Sequence, residues 1–172
     1  GDLFENSSDT AMDELFTRYM YFERAKQNIT SSTTEALRKF YERDKYAILR
    51  SEETFENLRD LAAFWESVYR QDKNRFSEDV LKELFILNYA PNRMWTYIVS
   101  VYYLKNRDSN GLLDERQFIY FLKKIIAFIW AYAIVNPGMN ALRAPIYGEM
   151  RKIVIGEAVD FLNYKFNKEN VR

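Results

Sequence analysis

The sequence predicts an all-α protein, a multi-helix bundle of about seven to eight helices, and three observations carry that expectation. Only 5 Gly and 3 Pro punctuate 172 residues. Apolar residues recur three and four positions apart along most of the chain, the spacing that builds one face of a helix. Aromatic residues make up 17% of the sequence, 13 Tyr and 13 Phe among them, which is enough ring surface to fill a core. The expected division is 1–10, a disordered or tag-derived start; 11–167, a single helical domain; and 168–172, a tail.

The first helix is expected from about Ala11 to Lys26, with Met12, Leu15, Phe16, Tyr19 and Phe22 on one face and Thr10 as N-cap. The second follows Ser32, which with Glu35 has capping-box spacing, and buries Leu37, Phe40, Tyr41 and Ile48. A third, near Glu53 to Gln71, repeats the pattern through Phe55, Leu58, Leu61, Ala62, Trp65 and Val68. Ser77 then caps a short helix containing Val80, Leu81, Leu84 and Phe85. Pro91 lacks an N–H, which costs nothing in a first turn, so it is placed at the start of the next helix, ahead of Trp95, Ile98, Val99 and Tyr102.

Asp108-Ser109-Asn110-Gly111 reads as a turn, and Asp114 with Gln117 has the spacing of a cap. The stripe Phe118, Phe121, Leu122, Ile125, Ile126, Ile129 and Ala133 follows. Beyond Lys124 the pattern is apolar on every face, which predicts a central apolar helix near 114–135 whose second half is the middle of the bundle. Its most apolar run, Ile125 to Val135, is shorter than the ~20 residues a bilayer requires, so no membrane partner is expected. Asn136-Pro137-Gly138 ends it. A last helical region is expected to reach about Phe166, with its start left open by Pro145. No internal domain boundary is drawn, although the first ~50 residues have the option of packing as an arm.

Lys plus Arg and Asp plus Glu each total 25, so net charge supplies no general attraction to polyanions and any basic surface must be local. The chain has no Cys, which removes disulfides, thiolate nucleophiles and thiolate metal sites. It has no His either, which excludes serine-histidine triads, histidine-metal nucleases and zinc hydrolases as complete sites. No Gly-rich phosphate loop is present, so no cofactor is expected. Gly1 in place of Met, followed by an acidic and polar run, suggests a piece of a longer protein without a signal peptide, and a cytoplasmic setting is expected.

Several local patterns carry possible chemistry. Asn106 to Gln117 has the spacing of a calcium-binding loop, with Gly111 at the sharp turn and Asp108 and Asn110 at ligand positions. Asn106 stands where the first Asp belongs and Gln117 where the bidentate Glu belongs, so the charge is too low, and the segment reads as a helix connection. Glu52-Glu53, Glu78-Asp79 and Asp114-Glu115 all fall at expected helix starts, where they complement the helix dipole. Glu157 and Asp160 lack the histidine of a carboxylate di-metal bundle. Basic clusters remain: Arg38, Lys39, Arg43 and Lys45; Lys123 and Lys124; and Arg143, Arg151 and Lys152. The last three are the candidate nucleic-acid contacts, because Arg143 and Arg151 lie two turns apart on a continuous helix and can address successive phosphates; nearby Glu149 blunts their field.

Several segments resemble a prokaryotic family of modification-dependent restriction endonucleases of the GmrSD type. They are Asp13-Glu14-Leu15-Phe16-Thr17-Arg18-Tyr19, Leu37-Arg38-Lys39-Phe40-Tyr41, Leu61-Ala62-Ala63-Phe64-Trp65, Leu87-Asn88-Tyr89-Ala90-Pro91-Asn92, and the stretch Phe128 to Pro145, ending near Val154. Family members join a ParB-like nucleotide-using domain, a helical middle region and an HNH-type nuclease domain. The resemblance implies that these residues are the helical middle region, with the flanking domains and DNA as partners and no catalysis of its own. Every matching segment is helical packing sequence, so no family catalytic residue falls on a position here. The rival reading is a free-standing helical module that binds another protein through an exposed aromatic groove.

Overall fold

The computed structural model describes residues 8–33, 35–135, 138 and 141–159. These form seven helices: α1 Ser8–Lys26, α2 Leu37–Tyr46, α3 Glu52–Tyr69, α4 Glu78–Leu87, α5 Met94–Asn106, α6 Glu115–Val135 and α7 Arg143–Val154, with one 3-10 turn at Ile48–Arg50. No strand occurs among the described residues. The chain is the expected all-α bundle.

Its centre is α5, which packs against α1, α3 and α7 and buries residues on every side, from Trp95 and Ile98 to Tyr103 and Leu104. Thr96 and Ser100 are buried with them because each finds a partner: the Thr96 hydroxyl donates to the Arg93 carbonyl at 2.7 Å, and the Ser100 hydroxyl donates to the Thr96 carbonyl at 2.7 Å and accepts from the Trp65 indole at 2.9 Å. Those polar residues disguised the central helix in the sequence. The second half of α6 is not the expected centre: α6 pairs with α4 at the side of the bundle and leaves Ile134 83% exposed. Its inner face still reaches the core, where Phe118 and Phe121 stack on Tyr102 with ring centres 5.7 and 4.0 Å apart. The apolar run lies within a helix of 21 residues that is long and apolar enough, by length and composition alone, to cross a membrane, with 39% of its most apolar stretch buried inside the bundle.

The N-terminal part is no arm, since α1 packs on α3, α5 and α7. It starts at Ser8 and passes through Thr10, which is therefore inside the helix rather than its cap. On α3 the buried face is turned from the expected one: Phe55 and Ala62 are exposed, while Thr54 and Asn57 are buried. The cause is a polar cluster, in which the Tyr19 hydroxyl donates to Glu23 Oε1 at 2.6 Å and meets Thr54 Oγ1 and Asn57 Nδ2 at 3.3 Å. A helix face chosen by apolar residues alone misses such positions.

Caps decide several boundaries. Ser77 Oγ accepts from the Val80 N–H at 3.3 Å, and Asp114 Oδ1 from the Gln117 N–H at 2.9 Å, as their spacing predicts. The capping box of Ser32 and Glu35 does not form; Ala36 is the N-cap of α2, and Glu35 instead takes Arg24 and Arg43. Nor does α2 run on to Ile48, because Asp44, Lys45 and Tyr46 are left-handed, at a cost of roughly 1–2 kcal/mol per residue. Pro91 precedes α5 by three residues; Asn92 Oδ1 accepts from the Met94 N–H at 2.9 Å and opens the helix there. Pro145 sits in the first turn of α7, where no N–H is needed, so Arg143 and Arg151 share one helix. That helix stops at Val154 rather than continuing to Phe166, because Gly156 adopts φ +86° and closes a Schellman motif, with Glu157 N–H donating to the Lys152 carbonyl at 2.9 Å. Residues 160–166 of the expected helix, Asp160 of the carboxylate pair, residues 136–137 of the expected helix stop, residues 1–7 of the expected start at 1–10 and the tail lie outside the described residues, while residues 8–10 of that start are helical and not disordered.

Candidate functional site

The end of α1 is built by the same device as the end of α7. Asn28 takes φ 59°, its N–H donates to the Ala25 carbonyl at 3.1 Å, and the Ile29 N–H donates to the Arg24 carbonyl at 3.0 Å. Asn tolerates this left-handed position better than most side chains. The end of α1 lies beside α7, and between them an open groove of about 530 Å³ runs along α7 from its first turn to Ile155. Its floor is made by Ala25, Ala144, Pro145 and Gly148, small residues that leave room; a Cβ added at Gly148 meets nothing within 4 Å.

The rim is cationic. Arg151 Nη2 donates to Asn28 Oδ1 at 2.8 Å, while its Nε is buried without a partner. Lys152 Nζ pairs with Glu149 Oε1 at 3.0 Å, so the expected blunting by Glu149 is direct. Lys26, which the sequence patterns do not single out, completes the rim and pairs with Glu53 at 3.0 Å. Both helices end here, so these cations also complement the negative ends of two helix dipoles. Burial pushes the phenol of nearby Tyr147 upward, against the pull of Arg24 and Arg151. Arg143 is half-buried at the other end of α7, about 12 Å away along the axis, and does not line the groove. The structure thus brings together Arg151 and Lys152, adds Lys26 and Asn28, and leaves Arg143 apart.

The calcium-like loop is occupied by the protein itself. Asp108 Oδ1 accepts from the N–H groups of Asn110 and Leu112 at 2.8 and 2.9 Å, and Gly111 turns with φ +75°. The Gly111 carbonyl accepts from Arg75 Nη2 and from the Tyr103 hydroxyl, each at 2.8 Å. Arg75 is held among Phe64, Phe76 and Tyr103, with its guanidinium 5.7–5.8 Å from their ring centres. A cation therefore anchors the loop, supplied from 36 residues upstream. Beside it lies a second depression of about 380 Å³, where Glu115 Oε1 accepts from the Ser77 N–H at 2.6 Å. Among the described residues no group of three or more His, Cys, Asp or Glu side chains is placed to hold a metal ion.

The other basic clusters are only partly spent on local pairs, and Lys39, Lys45 and Lys123 are exposed. Arg38 bonds Glu42 at 2.6 Å, Arg43 bonds Glu35, and Lys124 lies 4.2 Å from the Tyr120 ring centre. The remaining conspicuous surface is the outer side of α6, where Ala127, Trp130, Ala131 and Ile134 are exposed at helical spacing. No family model, curated protein or solved structure matches this chain.

Proposed function

We propose that these residues are a helical scaffold region of a GmrSD-like restriction protein, inactive alone, that contacts DNA through the groove between α1 and α7. The reading rests on the resemblance of the helical segments and, geometrically, on one observation: Lys26, Arg151 and Lys152 rim an open groove whose small-residue floor admits a backbone closely. Glu53 and Glu149 offset two of those charges, so affinity is modest and depends on phosphates displacing the carboxylates. Arg143 extends the interface along α7 toward a neighbouring phosphate.

A second reading, a protein-interaction module, is favoured by the uncovered apolar side of α6, since a contiguous exposed patch of this kind marks a partner surface. One titration separates them. Binding of a short duplex is measured between about 50 and 200 mM salt for the native chain and for a variant with Arg143, Arg151 and Lys152 all replaced by Ala. The DNA reading expects weaker binding and a log–log salt slope reduced by up to about three units, near one for each phosphate that the variant no longer neutralises. Unchanged affinity in the variant, or no binding at the low-salt limit, removes it in favour of the interaction module.

A further inference from the structure

The corner between α2 and α3 holds the most strained backbone in the described residues. Arg43 is extended (ψ 141°), and Asp44 (φ 52°, ψ 42°), Lys45 (φ 55°, ψ 47°) and Tyr46 (φ 63°) follow in the left-handed region. None is glycine, and a run of three is rare for L residues. Asp44, Lys45 and Tyr46 are themselves exposed, and the packing next to them is that of Tyr41 before the run and of half-buried Ile48 after it. The local sequence also favours something else. Residues 37–50 contain neither Gly nor Pro, and Leu37, Phe40, Tyr41 and Ile48 have the spacing of one continuous right-handed helix.

A small set of polar bonds holds the bend. Glu35 is shared by two guanidiniums, that of Arg24, which is buried and also donates to the Ser31 carbonyl at 2.6 Å, and that of Arg43, which is exposed. Arg24 fixes Glu35 to α1, and Glu35 draws Arg43 out of the helix just before the left-handed run. Arg50 also donates to the Asp44 carbonyl, at 3.4 Å. Ahead of the bend α2 is anchored: the Tyr41 hydroxyl donates to the Phe16 carbonyl at 2.6 Å, and the two rings meet edge to face.

We propose that 43–46 is a two-state hinge, clamped bent by the Glu35–Arg43 ion pair, whose release lets α2 rewind through the Ile48–Arg50 turn into one right-handed helix. Tyr41 is the pivot. The moving part leads through Ser51 directly into the first turn of α3, where Glu53 holds Lys26 at the rim of the groove. Rewinding therefore withdraws Glu53 and frees Lys26 for an anion, a consequence that rests on the DNA reading above, whereas the hinge itself does not. Arg43 is the accessible half of the clamp, so a polyanion that takes it from Glu35 favours the straight form.

Glycine substitution reads the backbone state by the sign of its effect. In a left-handed run Asp44→Gly and Lys45→Gly relieve strain and raise Tm by roughly 2–4 °C each; in a right-handed helix the same changes lower it by a similar amount. The clamp is tested separately with Arg43→Gln, which leaves the Arg24–Glu35 pair in place. Hydrogen exchange of the backbone amides of 43–50 is expected to slow by on the order of tenfold as the helix closes. A lowered Tm in the glycine variants overturns the bend, and unchanged or faster exchange in Arg43→Gln overturns the clamp.

Discussion

Arg107 ties α3 to the end of α5 through one side chain. Its Nε donates to Asp60 Oδ2 at 2.8 Å, Nη2 to Asn57 Oδ1 at 2.6 Å, and Nη1 to the Leu104 carbonyl at 2.6 Å. Asn57 passes the chain of bonds to the Tyr19 hydroxyl, and Tyr19 passes it to Glu23, so α1, α3 and the end of α5 are tied through polar atoms inside an apolar core. Such a network stabilises only while every member is satisfied. Replacing Arg107 by Ala leaves the buried Asn57 amide and a half-buried Asp60 without their donor and is expected to cost about 1–3 kcal/mol. Asp60→Asn keeps an acceptor and is expected to cost much less. Urea unfolding of the two variants checks this, and equal losses would mean that the Asp60 charge, rather than the unmet hydrogen bonds, carries the effect. None of this was legible in the sequence, because Asn57, Asp60 and Arg107 are ordinary surface residue types whose meeting depends on how α3 is rotated.

Helix ends were legible where a cap is local. Ser77 and Asp114 bond N–H groups three residues on, so sequence spacing is the geometry. Ser32 and Glu35 have the right spacing and the wrong context: a guanidinium from α1 outcompetes a backbone N–H for the Glu35 carboxylate. The groove was legible in part for the same reason. Arg151 and Lys152 stand out as adjacent cations, whereas Lys26 and Asn28 join them only because α1 and α7 end side by side. The two described glycines of α7 and its cap make a prediction of opposite signs. Gly156 has φ +86°, so Ala there is strained although nothing crowds its Cβ, and Gly156→Ala should cost roughly 1–2 kcal/mol. Gly148 lies within the helix with open space around an added Cβ, so Gly148→Ala should stabilise by about 0.5–1 kcal/mol. Thermal unfolding of both variants is the measurement: stabilisation by both would mean that α7 does not end where Gly156 ends it, and destabilisation by both would mean that the space beside Gly148 is filled.

Across the whole molecule the core is aromatic and much of it is phenolic. Phe64 stacks on Tyr103 at 4.3 Å between ring centres, Tyr21 on Tyr97 at 4.6 Å and Tyr102 on Phe121 at 4.0 Å, so rings join helices that are distant in sequence. Burial, the largest cause in each case, raises the phenols of Tyr19, Tyr41, Tyr69, Tyr97, Tyr103 and Tyr147, and pushes Tyr102 up to about 12. An unfolded chain releases these protons near pH ~10. Between that pH and the raised folded values the native state binds more protons than the unfolded one, so stability falls as pH rises. Below about pH 10 both states hold their phenolic protons and these groups contribute no slope. The expected outcome is that phenolate absorbance near 295 nm appears late and steeply above about pH 10, together with loss of far-UV helical signal, because buried rings ionise by unfolding. A gradual titration centred on the ordinary tyrosine value, with helicity intact, would mean that these rings reach solvent without the bundle coming apart.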